Sequence, residues 1–343
     1  MQKDEARRSS DPEYDARGDE TVVAAETEMA RTMERQPDDL RRILADWSSV
    51  EAAAAVSPGV ASFVVGTGTS WHAANQGAYF LRLAGADALA VSAADCALWG
   101  PWPTGDDGLV LLSHRGTKRY TTEVLARARA EGVPTVAIGG EGAPGVDIAT
   151  VAQETSGTFT ASHLGALARL AQLSVTLGAE LGDLGAVPAA VTAALDPPRS
   201  AVELPERGLE FVGAGPNQWT AAEGALKVRE SAHLFTEGLS VEQFLHGPGF
   251  ALDERDAVVC LDGGGPGATR VAELAEAIEA RGASVYRPRR AAVRLPTHGH
   301  SATHRARLRR AARQRSRRCP ARGMESDRDL GSPASRRHAR GYS

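Results

Sequence analysis

A strand–glycine loop–helix unit that occurs early in the chain and then recurs in its second half most constrains the fold. Ala61-Ser-Phe-Val-Val65 runs into the loop Gly66-Thr-Gly-Thr-Ser70 and a helix to about Leu83. Leu209-Glu-Phe-Val-Gly213 runs into Ala214-Gly-Pro-Asn217 and a helix over 218–234. Between them the alternation continues. Ala88–Val91 is a weak strand, Gly108–Ser113 and Pro134–Ile138 are apolar strands of the doubly buried kind, and helices follow through Val124, Leu125 and Ala128 and over 162–180. After the restart come a strand at Ala257–Leu261, a helix at 268–281 and a strand at Ser284–Tyr286. Strands alternating with helices require a parallel sheet covered on both faces, and the restart requires two of them. The expected fold is α/β: two doubly wound, flavodoxin-like parallel-sheet subdomains in tandem. The first spans 26–196 with an N-terminal helix, and the second 197–296. Pro197-Pro198 lies in the linker, and Pro37 is expected to break the helical pattern carried by Met29, Met33, Leu40, Ile43 and Leu44. Leu164, Leu167, Leu170 and Leu173 are expected on one side of their helix.

Charge separates the ends from the middle. From Arg287 onward there are 17 Arg and no Lys against Glu325, Asp327 and Asp329, whereas the remainder is strongly acidic. Residues 1–25 are charged, lack the apolar stretch of a secretory signal and read as a disordered lead-in. No apolar run is long enough to span a bilayer. Cys96, Cys260 and Cys319 are too few and scattered for a disulfide framework. A cytoplasmic protein without membrane association is expected.

Two loops lie where open parallel sheets bind ligands, at the carboxyl ends of strands. Gly66–Ser70 opens a helix, where backbone N–H groups and hydroxyls favour an anion; a plain turn with an N-cap has the same residues. Ser113-His-Arg-Gly-Thr117 adds a guanidinium and two hydroxyls, a set suited to phosphate. Gly213-Ala-Gly-Pro-Asn-Gln contains Pro216 and lacks a third glycine, which argues against a dinucleotide site; no cofactor is expected. In Glu223-Gly-Ala-Leu-Lys-Val-Arg-Glu230, the spacing of Glu223, Lys227 and Glu230 puts all three on one helical face, as it does in an ordinary solvated helix. His246 precedes Gly-Pro in a turn.

Together these segments resemble the double sugar-isomerase (SIS) domain family, which includes the isomerase half of glucosamine-6-phosphate synthase and related deglycases and deaminases. EGALKVRE with the following His246-Gly-Pro carries the resemblance. Gly68-Thr-Ser70, Ser113-His-Arg-Gly116 and Thr160-Ala-Ser162 resemble the family's ligand loops, over about residues 26–287. The resemblance implies an enzyme acting on a ketose or amino-sugar 6-phosphate by isomerisation, deamination or aminotransfer. Glu230 would be the base beside the carbonyl, His246 would open the sugar ring from a neighbouring subunit, and Lys227 would help fix the carbonyl or its imine. Gly68, Thr69, Ser70, Ser113, His114, Arg115 and Thr117 would hold the phosphate, Ser162 a sugar hydroxyl, and Glu223 would line the pocket. A homodimer with shared sites is implied. The alternative is a non-catalytic sugar-phosphate sensor. Where synthases carry Ser-Gln-Ser-Gly this chain has Ser113-His-Arg-Gly116, and no glutaminase segment precedes the first sheet, so another nitrogen source, or none, is expected.

Val293-Arg-Leu-Pro296 resembles the family's last strand, after which apolar periodicity stops. Residues 297–343 form an Arg-rich tail in place of the family's closing helix and lysine, which leaves the second subdomain incomplete; Lys227 is the last lysine. The tail reads best as GC-rich coding translated out of frame. A nucleic-acid-binding arm and a zinc site at His298, His300 and His304 are the weaker readings, the latter lacking Cys partners.

Overall fold

The computed structural model of the chain describes residues 27–56, 61–104, 107–195 and 205–288. The lead-in, Pro197-Pro198, Val293–Pro296 and the Arg-rich tail, with His298, His300 and His304, lie outside the described residues. The elements in order are α1 (Glu28–Ala45), α2 (Ser48–Val56), β1 (Ala61–Gly66), α3 (Thr69–Leu83), β2 (Leu89–Ser92), α4 (Ala93–Leu98) and β3 (Gly108–Leu112). Next come α5 (Arg119–Ala130), β4 (Thr135–Gly139), β5 (Ile148–Ala149), α6 (Ala161–Thr176) and α7 (Val187–Leu195). The second half comprises β6 (Leu209–Gly213), α8 (Asn217–Ala232), β7 (Thr236–Ser240), α9 (Val241–Leu245), β8 (Ala257–Leu261), α10 (Ala268–Glu279) and β9 (Ser284–Tyr286).

The first sheet has the order β2-β1-β3-β4-β5 and the second β7-β6-β8-β9, with every pairing parallel. The shared order, with the first strand inside the second, is the flavodoxin-like winding expected from the repeated unit. Alternation within the strands divides each sheet into two buried faces. Val64, Val110, Leu112, Val136 and Ile138 pack on residues of α2, α3 and α6, while Val65, Leu109 and Leu111 pack on α4 and α5. Each such side chain, fully withdrawn from water, contributes about 1.5–3 kcal/mol. In the second sheet Val212, Val258 and Cys260 pack on α9 and α10. On its other face only Leu209, Ala257 and Val259 among the cluster reach full burial, and α8 contributes Val228 there. Cys96 and Cys260 are free thiols in separate cores, and burial pushes both up in pKa, Cys260 to about 11. No described helix is long and apolar enough to cross a membrane.

Two expectations change. Helix α1 does not break at Pro37: it runs through, with the ring buried. Proline removes one backbone bond and crowds the preceding turn, but here α1 is held by tertiary contacts. Leu40 and Ile43 pack on Ala161 and Ala168 of α6. The buried Arg169 guanidinium donates to the carbonyls of Ile43 (3.2 Å) and Asp46 (2.7 Å), and the Gln172 amide donates to the same two. Those bonds satisfy carbonyls that a helix C-terminus otherwise leaves open. The second change concerns α6, whose leucines do not share one side. Leu170 and Leu173 face the sheet with Leu167 beside them, whereas Leu164 joins the α1 cluster. Strands β5 and β7 escape sequence reading because they are short or polar; Thr236-Glu-Gly-Leu-Ser240 is an edge strand whose Gly238 lies against the α8 backbone.

Glu210 of β6 lies opposite Glu237 of β7, with one carboxylate oxygen buried and unpartnered. Burial, then Glu237 and Asp256, raise its pKa to about 7, against a weaker pull from Arg229. The folded chain therefore holds this proton more tightly than the unfolded one between the ordinary carboxylate value and about 7, and stability falls as pH rises through that window. Glu210→Gln is expected to flatten this dependence and to raise Tm by a few degrees at about pH 8. Thermal melts at about pH 5 and pH 8 check it, and equal slopes for both proteins would refute it.

Candidate functional site

Strand β1 delivers its chain into a turn that only glycine permits. A Cβ on Gly66 would sit 2.3 Å from the Ser70 carbonyl oxygen, and Gly68 has φ +58°. The turn closes on itself: the Ser70 N–H donates to the Thr67 carbonyl (3.1 Å) and the Trp71 N–H to that of Gly68 (2.8 Å). The Ser70 hydroxyl lines a cleft and makes no hydrogen bond among the described residues. Gly213, Gly215 and Asn217 repeat the turn in the second sheet, with Gly213 pressed on Asn217 and Gly215 at φ +57°. There the Asn217 side chain lies against Gly263.

The loop after β3 forms the facing wall. Ser113 Oγ accepts from the Gly116 N–H (3.2 Å) and lies 3.4 Å from Thr121 Oγ1, whose proton is donated to the Lys118 carbonyl. The Ser113 proton can therefore turn to a ligand. Arg115 is exposed, its guanidinium 5.0 Å from the centre of the Phe159 ring. His114 lines the cleft in a structural posture: its Nε2 accepts from the Glu154 N–H (3.0 Å), which puts the proton on a buried, unpartnered Nδ1. Burial pushes its pKa down. Thr117 is exposed and does not line the cleft, whereas Lys118 and Thr121 do.

Beyond this loop, α6 supplies the third wall. Its N-terminus is not open to an outside anion, because the buried Glu154 carboxylate accepts from the N–H groups of Thr160 (2.9 Å), Ala161 (3.3 Å) and Ser162 (2.8 Å). Ser162 and His163 then line the cleft. The Ser162 hydroxyl is without a hydrogen bond among the described residues, and His163 Nδ1 is buried and unpartnered, with its pKa lowered by burial.

Helix α8 closes the fourth side, and the expected face is present. Lys227 Nζ donates to Glu230 Oε2 (2.7 Å) and to Thr69 Oγ1 (2.9 Å), and lies 3.4 Å from Glu223 Oε1. Lys227 is thus held by two hydrogen bonds and by the ion pair to Glu223. Glu223 is buried. It accepts from Thr69 Oγ1 (3.1 Å) and from His72 Nδ1 (2.7 Å), since an ionised carboxylate can only accept. Burial alone would raise its pKa, but the His72 hydrogen bond, then nearby His163 and the Lys227 ammonium, outweigh it and hold the value at about 2. Glu230 lines the same cleft as Ser70 and Ser113. His246 does not: it is 75 % exposed, and its Nδ1–H donates to the Glu242 carbonyl (2.7 Å).

The cleft encloses about 450 Å³, a size that suits a small ligand. Gly68, Thr69, Ser70, Ser113, His114, Arg115, Ser162, Lys227 and Glu230 come together around it, Glu223 sits behind Thr69 and Lys227, and Thr117 and His246 stay outside. Sequence reasoning missed His72, Glu154, Phe159, His163, Lys118 and Thr121. For most of these no local signal exists; Lys118 and Thr121 lie just past a loop already singled out. Among the described residues no cluster of His, Cys, Asp and Glu could hold a metal ion. Glu154→Ala would leave the three N–H groups opening α6 without their carboxylate and is expected to cost about 2–3 kcal/mol, measured by urea unfolding. A loss no larger than that of an exposed substitution would contradict the capping role.

The sequence matches no protein-family model. It is 30% identical over 226 residues to glutamine–fructose-6-phosphate aminotransferase (isomerizing) of Gloeobacter violaceus, a match covering 58% of this chain and 37% of that relative. The chain thus spans about two fifths of the length of the curated relatives it matches. Among solved structures, the C-terminal domain of glucosamine-fructose-6-phosphate aminotransferase from Francisella tularensis superposes with a TM-score of 0.61 at 16% identity, over 78% of this chain and 85% of that one. Tagatose-6-phosphate ketose/aldose isomerase from Escherichia coli gives 0.63 at 17% identity, over 85% and 92%. At these identities the likeness is one of fold.

Proposed function

We propose that this chain, a double sugar-isomerase (SIS) protein resembling the isomerase half of glucosamine-6-phosphate synthase, catalyses proton transfer beside the carbonyl of a ketose or amino-sugar 6-phosphate. The observation that carries the reading is that Glu230 and Lys227 of α8 line the same cleft as Ser70 and Ser113 at the strand ends of the first sheet. An anion held by one wall then sets a sugar chain against the carboxylate of the other. The names of the similar proteins, an aminotransferase of fructose 6-phosphate and a ketose/aldose isomerase, support the same substrate class.

In this mechanism the hydroxyls of Ser70 and Ser113 and the Arg115 guanidinium bind phosphate, and Ser162 binds a sugar hydroxyl. Glu230 takes the proton from the carbon next to the carbonyl and delivers it to the carbonyl carbon while the hydroxyl proton passes to the former carbonyl oxygen, so the carbonyl migrates and no atom is gained or lost. The Lys227 ammonium holds Glu230 in place. His114 shapes the wall, because its acceptor nitrogen is already used by Glu154. His246, exposed on its own chain, would open the sugar ring in the site of a second copy. The exposure of Phe235 and Phe250 supports an apolar interface on this half of the molecule, and with it a homodimer. A cytoplasmic location belongs to the same reading.

Incubation with fructose 6-phosphate in deuterium oxide tests it. Deuterium is expected at the second carbon of the sugar, and Glu230→Gln is expected to slow its incorporation about 10²–10⁴-fold while binding persists. Binding without exchange in the unaltered protein would instead identify a sensor.

A further inference from the structure

We infer that Thr69 is a positioning residue for the carboxylate–ammonium cluster of α8 and is not a phosphate ligand, although it stands in the loop that resembles one. The inference rests on the function proposed above and assigns Thr69 a different part in it.

The proton inventory carries the assignment. A threonine hydroxyl has one proton to give. Lys227 Nζ donates to Thr69 Oγ1 at 2.9 Å, and Thr69 Oγ1 donates to Glu223 Oε1 at 3.1 Å. Glu223 is held ionised, its pKa lowered to about 2, so it accepts and cannot donate in return. A phosphate oxygen also only accepts. Thr69 can therefore serve the phosphate only by giving up its bond to the buried Glu223 carboxylate, whose Oε1 would keep the Lys227 ammonium at 3.4 Å but no hydrogen bond, a loss that burial makes expensive. Ser70, next in sequence, has no such engagement: its hydroxyl lines the cleft without a partner among the described residues. Adjacent residues of one turn thus divide the labour, Ser70 facing the ligand and Thr69 facing across to α8.

The geometry also explains what the hydroxyl does there. Lys227 sits between two carboxylates of its own helix, Glu223 (3.4 Å) and Glu230 (2.7 Å). Thr69 is the hydrogen-bond acceptor that comes from the first subdomain. It fixes the Nζ position, and through Nζ the Glu230 carboxylate, relative to the wall that binds the anion. Removing it leaves phosphate donors intact while loosening the register between anion site and base.

Three variants and two readouts test this. Thr69→Val is expected to lower kcat for deuterium exchange on fructose 6-phosphate about ten- to a hundredfold, the range for one hydrogen bond to a charged group, with KM changed less than about threefold. Thr69→Ser, which keeps the hydroxyl, is expected to restore most of the rate. Ser70→Ala is expected to show the opposite split, a raised KM with kcat little altered. A raised KM with unchanged kcat for Thr69→Val, or no rescue by Thr69→Ser, overturns the assignment. The second readout needs no turnover. The chain has three lysines, Lys3, Lys118 and Lys227, so 15N-lysine NMR resolves the Lys227 ammonium, assigned with Lys227→Arg. Its resonance is expected to move in Thr69→Val and to stay in Thr69→Ser; an unmoved signal in Thr69→Val overturns the proposal. If the unaltered protein shows no exchange, the catalytic reading fails and the NMR comparison alone decides the role of Thr69.

Discussion

The arrangement of the cleft depends on one buried carboxylate. Glu223 reaches out of α8 in the second sheet and is met by His72 and Thr69 of α3 in the first. Desolvation makes such a charge expensive, and a buried ion pair is by itself weak evidence of stability. What offsets the cost here is the number of donors aimed at two oxygens: an imidazole N–H, a hydroxyl and the Lys227 ammonium. The consequence is geometric. Helices α3 and α8 are locked at one rotation, with Gln76 donating to Thr220 (2.7 Å) and Trp71 and His72 packing on Trp219 around the junction. That rotation puts Glu230 over the cleft of the other sheet.

A similar economy holds the remaining walls. Buried charges and helix ends are used to satisfy one another: Glu154 takes up the first N–H groups of α6, and Arg169 the last carbonyls of α1. Both sit on or beside α6, the helix that presents Ser162 and His163 to the cleft. With these groups engaged internally, the Ser70, Ser113 and Ser162 hydroxyls face one cleft. A preformed site of this kind spends little on ordering when a ligand arrives.

The resemblance to a known family was legible in EGALKVRE, but its residue roles transfer unevenly. In the loop after β3, His114 is part of the scaffold and Arg115 lies exposed over Phe159, and Arg115 and Lys118 line the cleft beside the hydroxyls. Thr117 and His246, expected at the site from the resemblance, do not line the cleft of this chain, because side-chain direction in a turn is decided by what packs against it.

By itself the sequence determined the two parallel sheets, their winding, the loops at their strand ends and the shared face of Glu223, Lys227 and Glu230. All of these follow from local periods, two for a strand and 3.6 for a helix, and from glycines that only certain turns accept. The tertiary structure alone decided the passage of α1 through Pro37, the two-sided burial of α6 and the engagement of Thr69, His72, His114 and Glu154. The partners of Thr69 and His72 lie more than 150 residues away in the chain. Which protons a side chain has left to give depends on groups that sequence spacing does not bring together, and those leftover protons are what a ligand meets.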